Sequence, residues 1–84
     1  VDDNLLQQQL RDAVVVKEMM ATAGWKVLEK YIDEIYAAKV ANLIEAEDAE
    51  ARTVIRGITS YRRAIAYILE HGKRANQELS KKGE

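Results

Sequence analysis

The constraint that decides most about this chain is a proline-free stretch from Trp25 to Gly72 carrying two apolar stripes. The first stripe is Trp25, Leu28, Ile32, Ile35, Tyr36 and Leu43. The second is Val54, Ile58, Tyr61, Ile65 and Ile68. Steps of three and four residues bring each set to one face of an α-helix. Two long helices with one apolar face each must cover those faces with something. The pattern therefore predicts an all-α protein that acts by contact.

Composition supports this reading. Proline, cysteine and phenylalanine are absent and there are four glycines among 84 residues. Strong helix formers fill the chain, and no thiol is available for a disulfide or for thiol chemistry. Acidic and basic residues nearly cancel, for a net charge of −1. Such a balance gives no global attraction to nucleic acid or to anionic membranes. No apolar run approaches the ~20 residues of a membrane span; Ala13-Val14-Val15-Val16, for one, ends at Lys17. The opening Val1-Asp2-Asp3-Asn4 is acidic where a secretory signal is basic, so no signal peptide is expected and a cytoplasmic location is compatible with the chain.

Three helices and one domain, 1–84, are expected. A helix at about 5–21 can be capped by Asp2, Asp3 or Asn4, with Leu6, Leu10, Ala13, Lys17 and Met20 on one face. The β-branched run Val14-Val15-Val16 weakens its helix preference, but the spacing around it remains helical. Thr22-Ala23-Gly24 is the clearest break. A second helix is predicted at about 25–46 and a third at about 49–71. The boundary between them carries no Gly or Pro, so one continuous helix competes with a turn. Asp48 as an N-cap and the shift of heptad register between the stripes favour the turn, hence a long antiparallel hairpin. Gly72 is read as the end of the third helix, followed by a polar flexible tail at 76–84. A chain this small has a thin margin of stability, so bundle formation by oligomerisation is expected.

Little in the chain suggests chemistry. His71 is the one histidine and no carboxylate lies at a ligand spacing from it, so neither a metal nor a cofactor is expected. Glu29/Asp33 and Glu47/Glu50 lack the ExxH pattern of a di-iron bundle. No triad or phosphate-cradling loop is present, and an enzyme is not expected. Trp25 fits either the core at one end of the hairpin or an anchor in a partner's pocket. Tyr31 and Tyr67 lie toward the stripe edges, where a phenol stays wet. Lys39 falls inside the first stripe, where it either snorkels or meets a carboxylate that sets register. Lys30 and Glu34 form an i,i+4 pair. Arg52, Arg56, Arg63 and Arg74 lie within about 40° on a helical wheel. They make either a phosphate-binding stripe or a solvated face paired with Glu70, Glu29, Asp33, Glu45, Glu47 or Glu50.

Trp25-Lys26-Val27-Leu28, Ile32, an acidic hinge, Arg56-Gly57 and Tyr61-Arg62-Arg63 together resemble small helical-hairpin proteins encoded among the head and packaging genes of tailed bacteriophages. The resemblance covers about residues 24–69. It implies a virion or assembly accessory role, and with it a location in the cytoplasm of a host cell or in the virion. The expected function is that of a non-enzymatic structural or assembly protein, working through helix–helix contacts with itself or with a larger phage protein. The alternatives are a nucleic-acid-binding hairpin dimer and a small inhibitor of a host protein. No small-molecule ligand and no membrane are expected as partners.

Overall fold

A computed structural model describes residues 2–82. Three helices follow in order: α1 (Asp3–Met20), α2 (Ala23–Ala46) and α3 (Ala49–Lys82). No strand occurs among the described residues. The all-α class and the three-helix count agree with the sequence reading.

Each helix start has a chemical cause. The first amides of a helix lack intrahelical acceptors, so a short polar side chain just upstream can receive them. Asp2 accepts from the Asn4 amide at 2.9 Å and Thr22 Oγ1 from the Trp25 amide at 3.1 Å. Asp48 Oδ1 accepts from Glu50 at 3.0 Å and from Ala51 at 3.4 Å. The acidic boundary is therefore a turn rather than a continuous helix.

That turn is made at a cost. Glu47 closes α2 in the left-handed region, at φ 51° and ψ 41°, with its amide donating to the Leu43 carbonyl at 3.1 Å. A residue with a Cβ loses about 1–2 kcal/mol there, which glycine avoids. Glu47→Gly is expected to raise stability by about 0.5–1 kcal/mol, since the backbone already takes a glycine-like turn. Thermal unfolding followed by circular dichroism checks this; a lower midpoint would mean that the Glu47 side chain contributes more than its backbone costs.

The predicted end of the third helix is corrected. α3 continues through Gly72 to Lys82, so 76–82 is helical rather than a frayed tail; Gly83 and Glu84 lie outside the described residues. Gly72 is buried inside the helix, and a Cβ placed on it would overlap Ala13 Cβ and lie 3.3 Å from the Gln9 carbonyl oxygen. The glycine is needed for close approach, not for a stop.

The helices sort into two compact units. One combines α1 with α3 from Ala64 onward; the other spans Thr22–Arg63 and contains α2 and the start of α3. In the first unit Leu6, Ala13 and Ala75 are buried beside Gly72, flanked by half-buried Leu10, Val16, Met20, Ile65, Ile68, Leu69 and Leu79. Lys17, placed on this face by the sequence pattern, is exposed, and Gln9 and Val16 take part instead. Gln9 reaches across, its amide nitrogen 3.3 Å from His71 Nδ1, and Tyr67 stacks on His71 with centroids 3.9 Å apart. Lys82 pairs with Asp3.

The second unit is a helical hairpin with far less interior. None of the 24 residues of α2 is buried, and within this unit's part of α3 only Ala51 is.

Candidate interaction surface

α2 carries two heptad stripes rather than one. Trp25, Glu29, Ile32, Tyr36, Lys39 and Leu43 follow a 4-3-4-3-4 rhythm, and all six are half-buried. Gly24, Leu28, Tyr31, Ile35, Ala38 and Asn42 follow the same rhythm one residue earlier, and all six are exposed. An offset of one residue turns a helical stripe by about 100°. The first stripe is the seam against α3. The second, apolar from Leu28 to Ala38 and closed by the polar Asn42, is turned to one side of that seam and stays about half exposed.

Residues predicted as one interaction face therefore divide. Trp25, Ile32, Tyr36 and Leu43 lie in the seam, opposite half-buried Val54 and Ile58. Leu28 and Ile35 belong to the uncovered stripe, at 49% and 47% exposure, and Tyr61 sits on the boundary at 36%. Ile65 and Ile68 are half-buried in the other unit, the one built with α1. Trp25 packs on Tyr61 with ring centroids 6.2 Å apart and planes tilted by 41°, closing the seam. Burial, the largest cause, raises the Tyr61 hydroxyl above its ordinary pKa of 10.0; the nearby Glu29 charge adds to the rise and Arg62 opposes it.

The seam is interrupted by charge. Arg62 occupies a seam position on α3, four residues after Ile58, and its guanidinium donates to Glu29 at 3.2 Å and to Asp33 at 2.5 Å. It also lies 5.9 Å from the Tyr36 ring centroid, within cation–π range. The Asp33 hydrogen bond, the largest cause, together with both carboxylate charges outweighs partial desolvation and holds the guanidinium above its usual pKa. Sequence reading missed Arg62 as a seam residue. The available signal was a charge interrupting each of two facing apolar heptads, Glu29 on α2 and Arg62 on α3.

Glu29 is only half satisfied. Its Oε2 meets Arg62, but its Oε1 is buried with no hydrogen-bond partner. An orphaned buried acceptor costs about 1–3 kcal/mol. Glu29→Met removes that cost, keeps the volume, and leaves Arg62 its Asp33 partner. The expected result is a gain of about 1 kcal/mol in urea unfolding. A loss would show that the Glu29–Arg62 pair outweighs the orphan oxygen.

Lys39 lies half-buried in the seam without an ion-pair partner among the described residues, the arrangement of a snorkelling side chain. Lys30 and Glu34 are not among the ion pairs of the described residues.

The predicted arginine stripe is also divided. Arg74 pairs with Glu70 at 3.4 Å in the unit built with α1. Arg52, Arg56 and Arg63 stand exposed in the hairpin unit without an ion-pair partner among the described residues, and the Glu29 and Asp33 offered to them by the sequence pair with Arg62 instead.

These contacts orient the hairpin. Arg62, Glu29 and Asp33 mark one flank, and helical geometry places Arg52, Arg56 and Arg63 on the back of α3, opposite the seam. The opposite flank carries Leu28, Tyr31 and Ile35 from α2 beside Gly57 and Tyr61 from α3. The hairpin thus has a charged flank and an apolar one. The α1 unit bears a separate open groove of about 560 Å³, floored by Leu10, Val14 and Leu69 with Lys17, Glu70 and Lys73 at its rim.

Among the described residues no group of three or more His, Asp or Glu side chains converges as a metal site. No described helix is long and apolar enough to cross a membrane. Comparison with known protein families, curated proteins and solved structures finds no match.

Proposed function

We propose that this chain is a non-enzymatic structural or assembly protein that works by seating an apolar helix face on copies of itself or on a larger protein. The observation that carries this reading is the uncovered stripe of α2. A 24-residue helix with no buried residue has engaged only one of its two apolar stripes in its own fold. The largest contiguous apolar patch on a protein surface is often its contact site. The sequence resemblance to hairpin proteins of phage head and packaging genes supports placing that contact in virion assembly.

Solution mass by light scattering across a protein concentration series tests the reading, with Leu28→Asp/Ile35→Asp as the comparison. The wild type is expected to form a discrete oligomer, or to capture a stoichiometric structural protein when its genomic neighbours are co-expressed. The double variant should lose that assembly while keeping its helical circular dichroism. A wild type that remains monomeric and captures no partner would overturn the reading.

A second reading has one observation in its favour. Arg52, Arg56 and Arg63 are exposed on the back of α3, without ion-pair partners among the described residues, as phosphate contacts would require. Nucleic-acid binding that falls steeply with salt, and that Arg56→Ala/Arg63→Ala abolishes, would favour a regulator. No binding at ~50 mM salt removes it.

A further inference from the structure

Resting on the contact reading above, we infer that the uncovered α2 stripe is a self-interface. Two copies of α2 pair antiparallel about a two-fold axis, with Leu28 facing Ala38 and Tyr31 facing Ile35 of the other copy. The argument lies in the order of residues along the stripe. From Gly24 to Asn42 it reads Gly, Leu, Tyr, Ile, Ala, Asn, with the apolar bulk between Leu28 and Ile35 and a small or polar residue beyond it at each end.

Parallel pairing would satisfy Asn42 against its own copy, but that is the one layer it suits. It would also stack Leu28, Tyr31 and Ile35 on themselves, then Ala38 on Ala38. With Gly24 on Gly24 before them, large would meet large in three layers and small would meet small on either side, leaving voids beside crowded layers, which close packing disfavours. Antiparallel pairing exchanges the ends. Gly24 meets Asn42, Leu28 meets Ala38, and Tyr31 meets Ile35 at the centre, and each layer then recurs across the axis. The large residues gather in the middle and the contact narrows equally toward both ends. Leu28 over Ala38 sets large against small, as facing positions of a bundle require.

Asn42 has a place in this register. A Cβ built on Gly24 meets nothing within 4 Å, so the space opposite is open. Gly24 lies in the first turn of α2, whose orphan amides can donate to a carboxamide oxygen from the other copy. Other antiparallel registers fit less well. A shift of one heptad one way sets Leu28 against the Glu45 carboxylate. The opposite shift sets Ile35 against Gly24 and carries Ala38 and Asn42 past the start of the partner's α2 at Ala23. A two-fold interface of this kind is isologous, so one patch on one chain suffices to build it.

The area is adequate. Leu28, Tyr31 and Ile35 are 49%, 58% and 47% exposed, and Val27 at the edge is also exposed. Half of four large side chains plus Ala38 and Asn42 is on the order of 500 Å² per copy, so a pair buries about 1,000 Å², where specific interfaces begin. Tyr61 and Gly57 lie on the same flank and extend the contact, so that two hairpins make a four-helix bundle. The charged flank with Arg62 and Asp33 and the exposed arginines on the back of α3 stay outside.

Single-cysteine variants test this in the full chain, which has no cysteine of its own. Leu28→Cys and Ala38→Cys proteins are purified separately, mixed, and linked by mild oxidation and, in parallel, by a short bis-maleimide. Circular dichroism first establishes that each variant is folded. The expected result is a mixed Leu28→Cys/Ala38→Cys dimer in at least fivefold excess over either self-linked product. Dominant Leu28→Cys self-linking would mean parallel pairing and overturn the proposal. A dimer by light scattering with no cross-link would place the interface elsewhere, which overturns the proposal and leaves the contact reading standing. A folded monomer at every concentration also overturns it; capture of a larger protein by that monomer would then preserve the contact reading, and failure of capture would end both.

Discussion

Gly72→Ala should destabilise the chain by about 1–2 kcal/mol, although the same change in an open helix would stabilise it by about 1. The usual gain comes from the entropy glycine loses on entering a helix. At Gly72 it is opposed by sterics. The new methyl group would overlap Ala13 Cβ and press on the Gln9 carbonyl oxygen, and both lie on or beside the backbone of α1. Neither is the free end of a flexible side chain, so relief requires α1 to shift away from α3. Such a shift would loosen Leu6 and Ala75, which are buried in the same unit. Urea unfolding of the single variant and of the Ala13→Gly/Gly72→Ala pair decides the matter. The pair should recover part of the loss, because the second change removes the colliding atom. If Gly72→Ala alone is as stable as the wild type, the two helices do not approach this closely.

Ile58→Asp combined with Ile65→Asp should unfold the chain rather than only dissociate it. On sequence alone both residues belong to one apolar contact stripe, and the expectation from that stripe is loss of assembly. The structure puts them elsewhere. Ile58 is half-buried in the α2–α3 seam, and Ile65 is half-buried in the unit built with α1. Each change forfeits roughly 1–2 kcal/mol of apolar burial and sets a carboxylate against hydrocarbon, for a total above about 4 kcal/mol. A domain of this size has a few kcal/mol to lose. Loss of most helical circular dichroism at 25 °C is the expected result. Retention of full helicity with a changed oligomeric state would return both residues to an outer face. Leu28→Asp/Ile35→Asp is the contrasting pair, with similar chemistry on a face that the fold leaves open.

The caps were the most legible part of the chain. Asp2, Thr22 and Asp48 satisfy the amides of the helices that follow them, because a short oxygen-bearing side chain meets an orphan N–H within two or three residues. The 3–4 spacing of Trp25, Ile32, Tyr36 and Leu43 was legible for a similarly local reason. Gly72 misled because a glycine at the end of a periodic run looks like a helix stop. Only the position of Ala13, far earlier in the chain, shows that it serves close contact. The candidate surface was legible in part. Leu28 and Ile35 were found but merged with the seam, because stripes one residue apart overlap on a helical wheel until a neighbour covers one of them. Tyr31 and Ala38 complete the apolar part of the exposed stripe, with Asn42 at its end, and were not read as part of it. Arg62 was given no place in the packing, whereas Glu29 and Asp33 draw it to the seam.

The sequence by itself determined the helices, their starts, the turn at Glu47–Asp48 and the absence of any motif for chemistry, since all of these depend on interactions within a few residues. Tertiary structure alone decided which stripe of α2 packs on α3 and which remains open, that α3 continues past Gly72, and which arginine holds the seam. Those outcomes depend on what approaches from distant parts of the chain, and the periodicity of a single helix carries no record of its neighbour.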